Sequence, residues 1–150
     1  MLRENQDSEF VWALVQQVSR MKWAKDDPIY WKGDISESIY MIYKGSVKMM
    51  TENGVQFTVY KRGDIIGDSE ALFEDMRDSK AVAAETCVLY ILKLEDCKDI
   101  FAKYPSAYLK LKQDAKKKKH VHAEKILEAR KKRPMFWMEG GLDDGLVSKL

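Results

Sequence analysis

Between residues 29 and 93 the chain reverses at short glycine-centred turns, and the stretches joining them are brief and rich in β-branched and aromatic residues. That spacing leaves no room for long helices and points to an antiparallel all-β unit. Ile29-Tyr30-Trp31 reads as a short strand, closed by a turn at Lys32-Gly33-Asp34. Ser38–Tyr43 and Ser46–Met50 follow, joined through Lys44-Gly45. Glu52-Asn53-Gly54 is the strongest hairpin signal, because Asn-Gly tolerates positive φ at both positions. Val55–Tyr60 alternates, Arg62-Gly63-Asp64 turns, and Lys80–Glu85 and Cys87–Lys93 complete the set. The expectation is an α+β fold built on a jelly-roll-like antiparallel β roll of about eight strands, from Pro28 to Leu92.

Helical periodicity flanks this unit. Phe10, Leu14, Val18 and Met21 recur at helical spacing, so a helix is expected over 8–21, capped by Asp7 or Ser8 and ended by Asp26-Asp27-Pro28. Leu94, Cys97, Ile100 and Phe101 mark a helix over 94–103, broken at Tyr104-Pro105. Ser106 then caps a long helix reaching about Arg133, with the apolar stripe Tyr108, Leu111, Ala115, His122, Ile126 and Ala129. The stripe lapses at Lys116–Lys119, so its middle is expected to be weakly anchored. The organisation read from this is one domain over 1–133, including the C-terminal helix 106–133, and an irregular tail over 134–150. Met135-Phe136-Trp137-Met138 in that tail is a candidate aromatic plug.

One stretch stands apart. Gly63–Lys80 holds a glycine-punctuated turn, a short helical turn expected near 69–73, and a single arginine. Backbone N–H groups converging at such a loop favour an anion, and Arg77 could close the site with a two-pronged contact to a phosphate. Yet residues 64–78 carry six carboxylates, Asp64, Asp68, Glu70, Glu74, Asp75 and Asp78, against that one guanidinium. Lys80 is the only compensating charge nearby in sequence.

Composition sets the remaining bounds. With 45% hydrophobic residues the chain can pack a core, and with 33% charged residues its surface is well solvated. The net charge of +2 is unevenly placed: Lys110–Arg133 has eleven basic and three acidic residues, so the globular part is acidic. Two cysteines without a paired framework suit a reducing compartment. No apolar run approaches the ~20 residues of a membrane span, and no signal peptide is evident. The chain as given reads as soluble and cytosolic. His120, His122, Cys87 and Cys97 match no zinc spacing. No nucleophile elbow or Walker loop is present, so catalysis is not expected. The lysine run 116–119 reads as a solvated helix face, with an anionic lipid headgroup as the functional alternative; nucleic acid is not expected.

The order helix, interrupted β roll, two helices resembles the cyclic nucleotide-binding domain family over residues 8 to about 133. The family's turn glycines look like Gly33, Gly45, Gly54, Gly63 and Gly67, its Phe-Gly-Glu motif looks like Ile66-Gly67-Asp68, and its cassette arginine falls on Arg77. Phe10–Val15, Lys32-Gly33-Asp34, and Tyr104-Pro105 before a basic helix look like the cytoplasmic domains of cyclic nucleotide-gated, hyperpolarisation-activated and voltage-gated potassium channels. The lack of a helix-turn-helix after the long helix points away from bacterial transcription factors. The resemblance implies a nucleotide site at Gly67, Asp68, Ser69, Glu70, Ala71, Arg77, Asp78 and Ser79. Cyclic AMP or cyclic GMP is the implied ligand and no cofactor is required. It implies a regulatory domain on the cytoplasmic side of a membrane, tetrameric within a channel polypeptide, with the long helix as a lid. A kinase regulatory module and a ligand-free protein- or lipid-interaction domain are the alternatives. Against the family pattern, Asp68 is one methylene shorter than the ribose-binding glutamate, and Glu70 and Asp78 replace small residues. Like charges at ~4 Å cost roughly 1–4 kcal/mol each at intermediate dielectric. A charge-assisted bond to Arg77 returns about 1.5–3 kcal/mol, so weak or absent nucleotide binding is expected.

Overall fold

The computed structural model describes residues 2–132, with side chains from Asp7 onward. Met135-Phe136-Trp137-Met138 lies outside the described residues. The order is α1 (Leu2–Val15), β1 (Ser19–Trp23), β2 (Pro28–Tyr30), β3 (Ser38–Lys44), β4 (Ser46–Met50), β5 (Gln56–Lys61), β6 (Ile65–Ile66), α2 (Asp68–Leu72), β7 (Lys80–Ala83) and β8 (Cys87–Lys93). A 3₁₀ turn (Leu94–Cys97), α3 (Lys98–Lys103) and α4 (Pro105–Arg130) follow. The eight strands form two four-stranded sheets, ordered β1-β8-β3-β6 and β2-β7-β4-β5, and every pairing is antiparallel, as expected.

The roll starts earlier than the periodicity suggested. The first helix ends at Val15, and Ser19–Trp23 is a strand paired with β8, Met21 opposite Leu89. Val18 and Met21 continue the helical spacing by coincidence; Met21 is 52% exposed and buries no helical face. At the β4–β5 hairpin, Gly54 takes positive φ (80°) and Asn53 does not. The Gly54 N–H donates to the Thr51 carbonyl (3.0 Å), and the extra residue is absorbed by a register shift between Met49 and Met50.

Two apolar clusters hold the molecule. Between the sheets, Ile42, Val47, Met49, Ile66, Ala81, Ala83, Cys87 and Leu89 are all at most 2% exposed. Beyond the end of the first sheet, Ile39 and Leu92 pack with Ala71, Leu72, Cys97 and Ala115 under the helices. Phe10 reaches Phe101 and Tyr104 (ring centroids 6.1 and 5.9 Å apart), and Phe101 stacks on Tyr108 at 4.2 Å, fastening α1 to α3 and the start of α4. Both cysteines are free and fully buried, one in each cluster. Among the described residues no helix is long and apolar enough to cross a membrane.

Candidate functional site

The geometry of Gly63–Lys80 begins at Gly67, whose φ of +78° starts α2. A Cβ there would lie 2.5 Å from Arg77 Nη1, so only glycine admits both the turn and the arginine beside it. All five residues of α2 are buried. The chain leaves α2 through Glu74, itself at positive φ (56°), and returns by a bridge between Met76 and Ile35. The Arg77 N–H donates to Asp34 O (2.9 Å) and Gly33 N–H donates to Arg77 O (2.8 Å). The Lys32-Gly33-Asp34 turn thereby fixes the arginine backbone.

Arg77 is 3% exposed, and both of its terminal nitrogens bond the chain itself. Nη1 donates to Gly67 O (2.7 Å) and to Glu70 Oε1 (3.3 Å); Nη2 donates to Ser38 O (2.6 Å). The guanidinium lies over the Tyr30 ring at 4.2 Å. The second Glu70 oxygen accepts the Asp78 N–H at 3.0 Å, and Ser79 Oγ donates to Asp78 Oδ1 at 2.8 Å. Glu70 thus stands between the arginine and the loop backbone, bonded to both.

Burial pushes the Glu70 carboxyl up, and the neighbouring Asp78 charge pushes it further, to about 7. For Asp78 burial also acts upward, but His122, Glu70 and Ser79 outweigh it and hold the group at about 2. Burial is the largest influence raising the phenol of Tyr60 to about 12 and that of Tyr30 well above its ordinary value.

Helix α4 supplies charges that are remote in sequence. Lys118 Nζ meets Asp68 Oδ2 at 3.0 Å, and Lys119 bonds Asp75. His122 Nδ1 stands 3.9 Å from Asp78 Oδ2, while its Nε2 is hydrogen-bonded to the Tyr60 hydroxyl. At the far end of α4, Arg130 Nε meets Glu52 Oε1 at 2.8 Å, and Asn53 Nδ2 donates to the Lys132 carbonyl at 3.0 Å. The loop carboxylates are thus better compensated than the sequence suggested. Lys80 is not their partner; it lies 3.7 Å from the centre of the Trp31 ring.

Of the eight candidate residues, Gly67, Glu70, Arg77, Asp78 and Ser79 form one bonded group, with Asp68 tied to it through α2 and to α4 through Lys118. Ser69 is buried in the same turn. Ala71 turns the other way, into the helical cluster, where it lines a cleft of about 340 Å³ with Phe101 and Tyr108. Lys118, Lys119, His122, Tyr60 and Tyr30 were missed. The available signal was the lysine run itself, placed where the apolar stripe of α4 stops.

A family model described as the cyclic nucleotide-binding domain matches residues 20–104, more than half of the chain. None of the curated proteins matches. Among solved structures, the chain is similar to the Thermus thermophilus catabolite activator protein, at 22% identity and a TM-score of 0.66, over 80% of this chain and 58% of that one. It is also similar to the C-linker/CNBHD of zELK channels, crystallized in the presence of cAMP, at 18% identity and a TM-score of 0.65, over 72% and 56%. The N-terminal domain of a transcriptional regulator from Streptomyces coelicolor A3(2) is similar at 19% identity and a TM-score of 0.61, over 79% and 85%. The chain spans less than two thirds of the first two. At these identities the likenesses concern the fold.

Proposed function

Because the chain belongs to the cyclic nucleotide-binding domain family, we propose that it is a regulatory module whose anion site is held by its own Glu70, so that cyclic AMP and cyclic GMP bind weakly or not at all. The observation that carries this reading is the buried contact of Arg77 with Glu70. A cyclic phosphate reaching Arg77 must displace Glu70 or meet it protonated. Beside an ionised Glu70 the added repulsion, about 1–4 kcal/mol, is of the same size as the gain of about 1.5–3 kcal/mol from the arginine and largely offsets it.

In this reading α4 is the lid, drawn over the site by Lys118, Lys119 and His122 without a ligand. A ligand moves such a lid only through contacts that differ between its open and closed states. For the parent protein we favour a cation channel of the potassium type. The domain then lies on the cytoplasmic side of a membrane, in a tetramer, with the channel polypeptide as its partner. Supporting this are the Phe10–Val15 segment, the Lys32-Gly33-Asp34 turn and the Tyr104-Pro105 break, together with the likeness to the C-linker/CNBHD of zELK channels. Six apolar spans ahead of this domain in the full-length gene product are expected; their absence overturns the channel assignment.

The binding claim is tested by calorimetric titration of cyclic AMP and cyclic GMP. We expect dissociation constants above about 100 μM, equivalent to about 5.5 kcal/mol. The double change Glu70→Ala with Asp78→Ala should tighten binding at least ~10-fold, or ~1.4 kcal/mol. Adding Arg77→Ala should remove that gain. Low-micromolar binding by the unmodified chain overturns the reading.

A further inference from the structure

The outer face of the first sheet carries charge opposite in sign to the acidic globular part. Side chains alternate along strands, so Arg20 and Lys22 of β1 share a face with their β8 partners Tyr90 and Val88. Helices cover this face only at its far end, over Ile39 and Leu92. On the open part Tyr43 packs against Tyr90, ring centroids 5.2 Å apart. Three cations converge on the Tyr43 ring: Arg20 at 5.5 Å, Lys44 at 5.8 Å and Arg62 at 5.8 Å. Among the described residues none of Arg20, Lys22, Lys44 and Arg62 has an ion-pair partner. Asp64 accepts the Lys61 N–H, Glu85 the Ser46 hydroxyl and Asp27 the Ala24 N–H, while Asp26 faces Lys48; none of them is ion-paired with the four cations. Like charges gathered without a counter-charge repel one another, so an added anionic partner relieves the arrangement.

The backbone next to this patch is also open. β1 is an edge strand, paired only with β8 among the described residues. Its first four residues are exposed on both faces, and Met21, opposite the core residue Leu89, remains 52% exposed. An uncovered edge is a template for strand addition, in which main-chain bonds give affinity and alternate side chains give specificity. A second copy of this chain is a poor occupant, because pairing two β1 edges sets Arg20 and Lys22 against themselves. An acidic strand instead places alternate carboxylates beside Arg20 and Lys22, with Lys44 and Arg62 further in, around the Tyr43 ring of β3.

We propose that the β1 edge and the basic outer face beside it dock an extended acidic segment of a partner polypeptide as an added strand. This does not depend on the state of Glu70 or on nucleotide binding. The test uses the full chain and a fluorescein-labelled peptide of about seven residues alternating glutamate with valine or threonine. Polarisation should show binding that weakens at least ~10-fold between about 50 and about 300 mM salt. A loss of at least ~10-fold is expected when the glutamates become glutamine, and again for Arg20→Glu with Lys22→Glu. Lys44→Glu with Arg62→Glu is a second charge reversal that leaves β1 untouched; because these side chains lie across β8 from the edge, it should weaken binding by less than the β1 pair does. Amide shift changes should centre on Ser19–Trp23. No binding at about 1 mM peptide, equal binding of the glutamine peptide, or shifts centred on α4 overturns the proposal. So does binding of phosphatidylserine vesicles in place of the peptide, which would make the face a membrane surface.

Discussion

Glu70 holds its proton more tightly in the folded chain than in the unfolded one, because burial and Asp78 raise it from 4.5 to about 7. The stability this contributes is present below the unfolded value and is lost as pH rises through about 7. Asp78 acts in the opposite sense, but only between its unfolded value of 3.8 and about 2. Between about pH 5 and about pH 8.5 the Glu70 effect therefore stands alone within the pair, with an upper bound of about 3 kcal/mol. Urea unfolding across that range should show falling stability, and Glu70→Gln should flatten the slope. A slope unchanged by Glu70→Gln would mean that Glu70 is ionised throughout, held by Arg77. Protonation also frees Arg77 of its counter-charge, so any nucleotide affinity should rise as pH falls through the same window.

Helix α4 is fastened by two kinds of contact. Its first half is anchored by apolar packing, with Ala107 and Ala115 buried and Tyr108 stacked on Phe101. Its middle and end rest on Lys118, Lys119, His122, Ile126, Ala129 and Arg130. Lys119 and Asp75 are both exposed, so that pair is worth at most about 1 kcal/mol, whereas Lys118 compensates a buried Asp68 carboxylate. Lys119→Ala should leave overall stability nearly unchanged, and Lys118→Ala should cost more because it strips the buried Asp68 of its partner; together they should speed amide exchange over 116–130 by about 10-fold, with 107–115 unaffected. Uniform acceleration along α4 would mean that the helix docks as one rigid piece. Strands β3, β4, β5, β7 and β8 were legible because alternation and glycine turns are local signals. β1 was not, since Val18 and Met21 happen to extend the spacing of α1, and the two residues of β6 leave no period to read. The Glu70–Arg77 contact was within reach, both residues lying in one short loop. The lysines that complete its charge balance were not, because residues some fifty positions apart meet only through the packing of α4 on α2.

At the scale of the molecule, an acidic roll is closed at one end by a basic helix, and the two apolar clusters lie in different places. Each cluster encloses one thiol. Cys87 donates its S–H to the Ser46 carbonyl between the sheets, and Cys97 donates to the Lys93 carbonyl beneath the helices. Burial raises both thiols, Cys97 to about 11. Neither can meet a reagent until its own surroundings open, so the unmodified chain carries two built-in clocks. Under a disulfide exchange reagent at about pH 8, modification should be limited by opening and should proceed with two separate rates. Low denaturant should hasten Cys97 before Cys87 if the helices undock ahead of the roll. A single shared rate would show that both clusters open in one event, and reaction at the speed of a free thiol would mean that neither cluster is closed. An acidic strand or a nucleotide that steadies one half should slow only the clock it touches, which lets a simple colour reaction tell where on the molecule a ligand has landed.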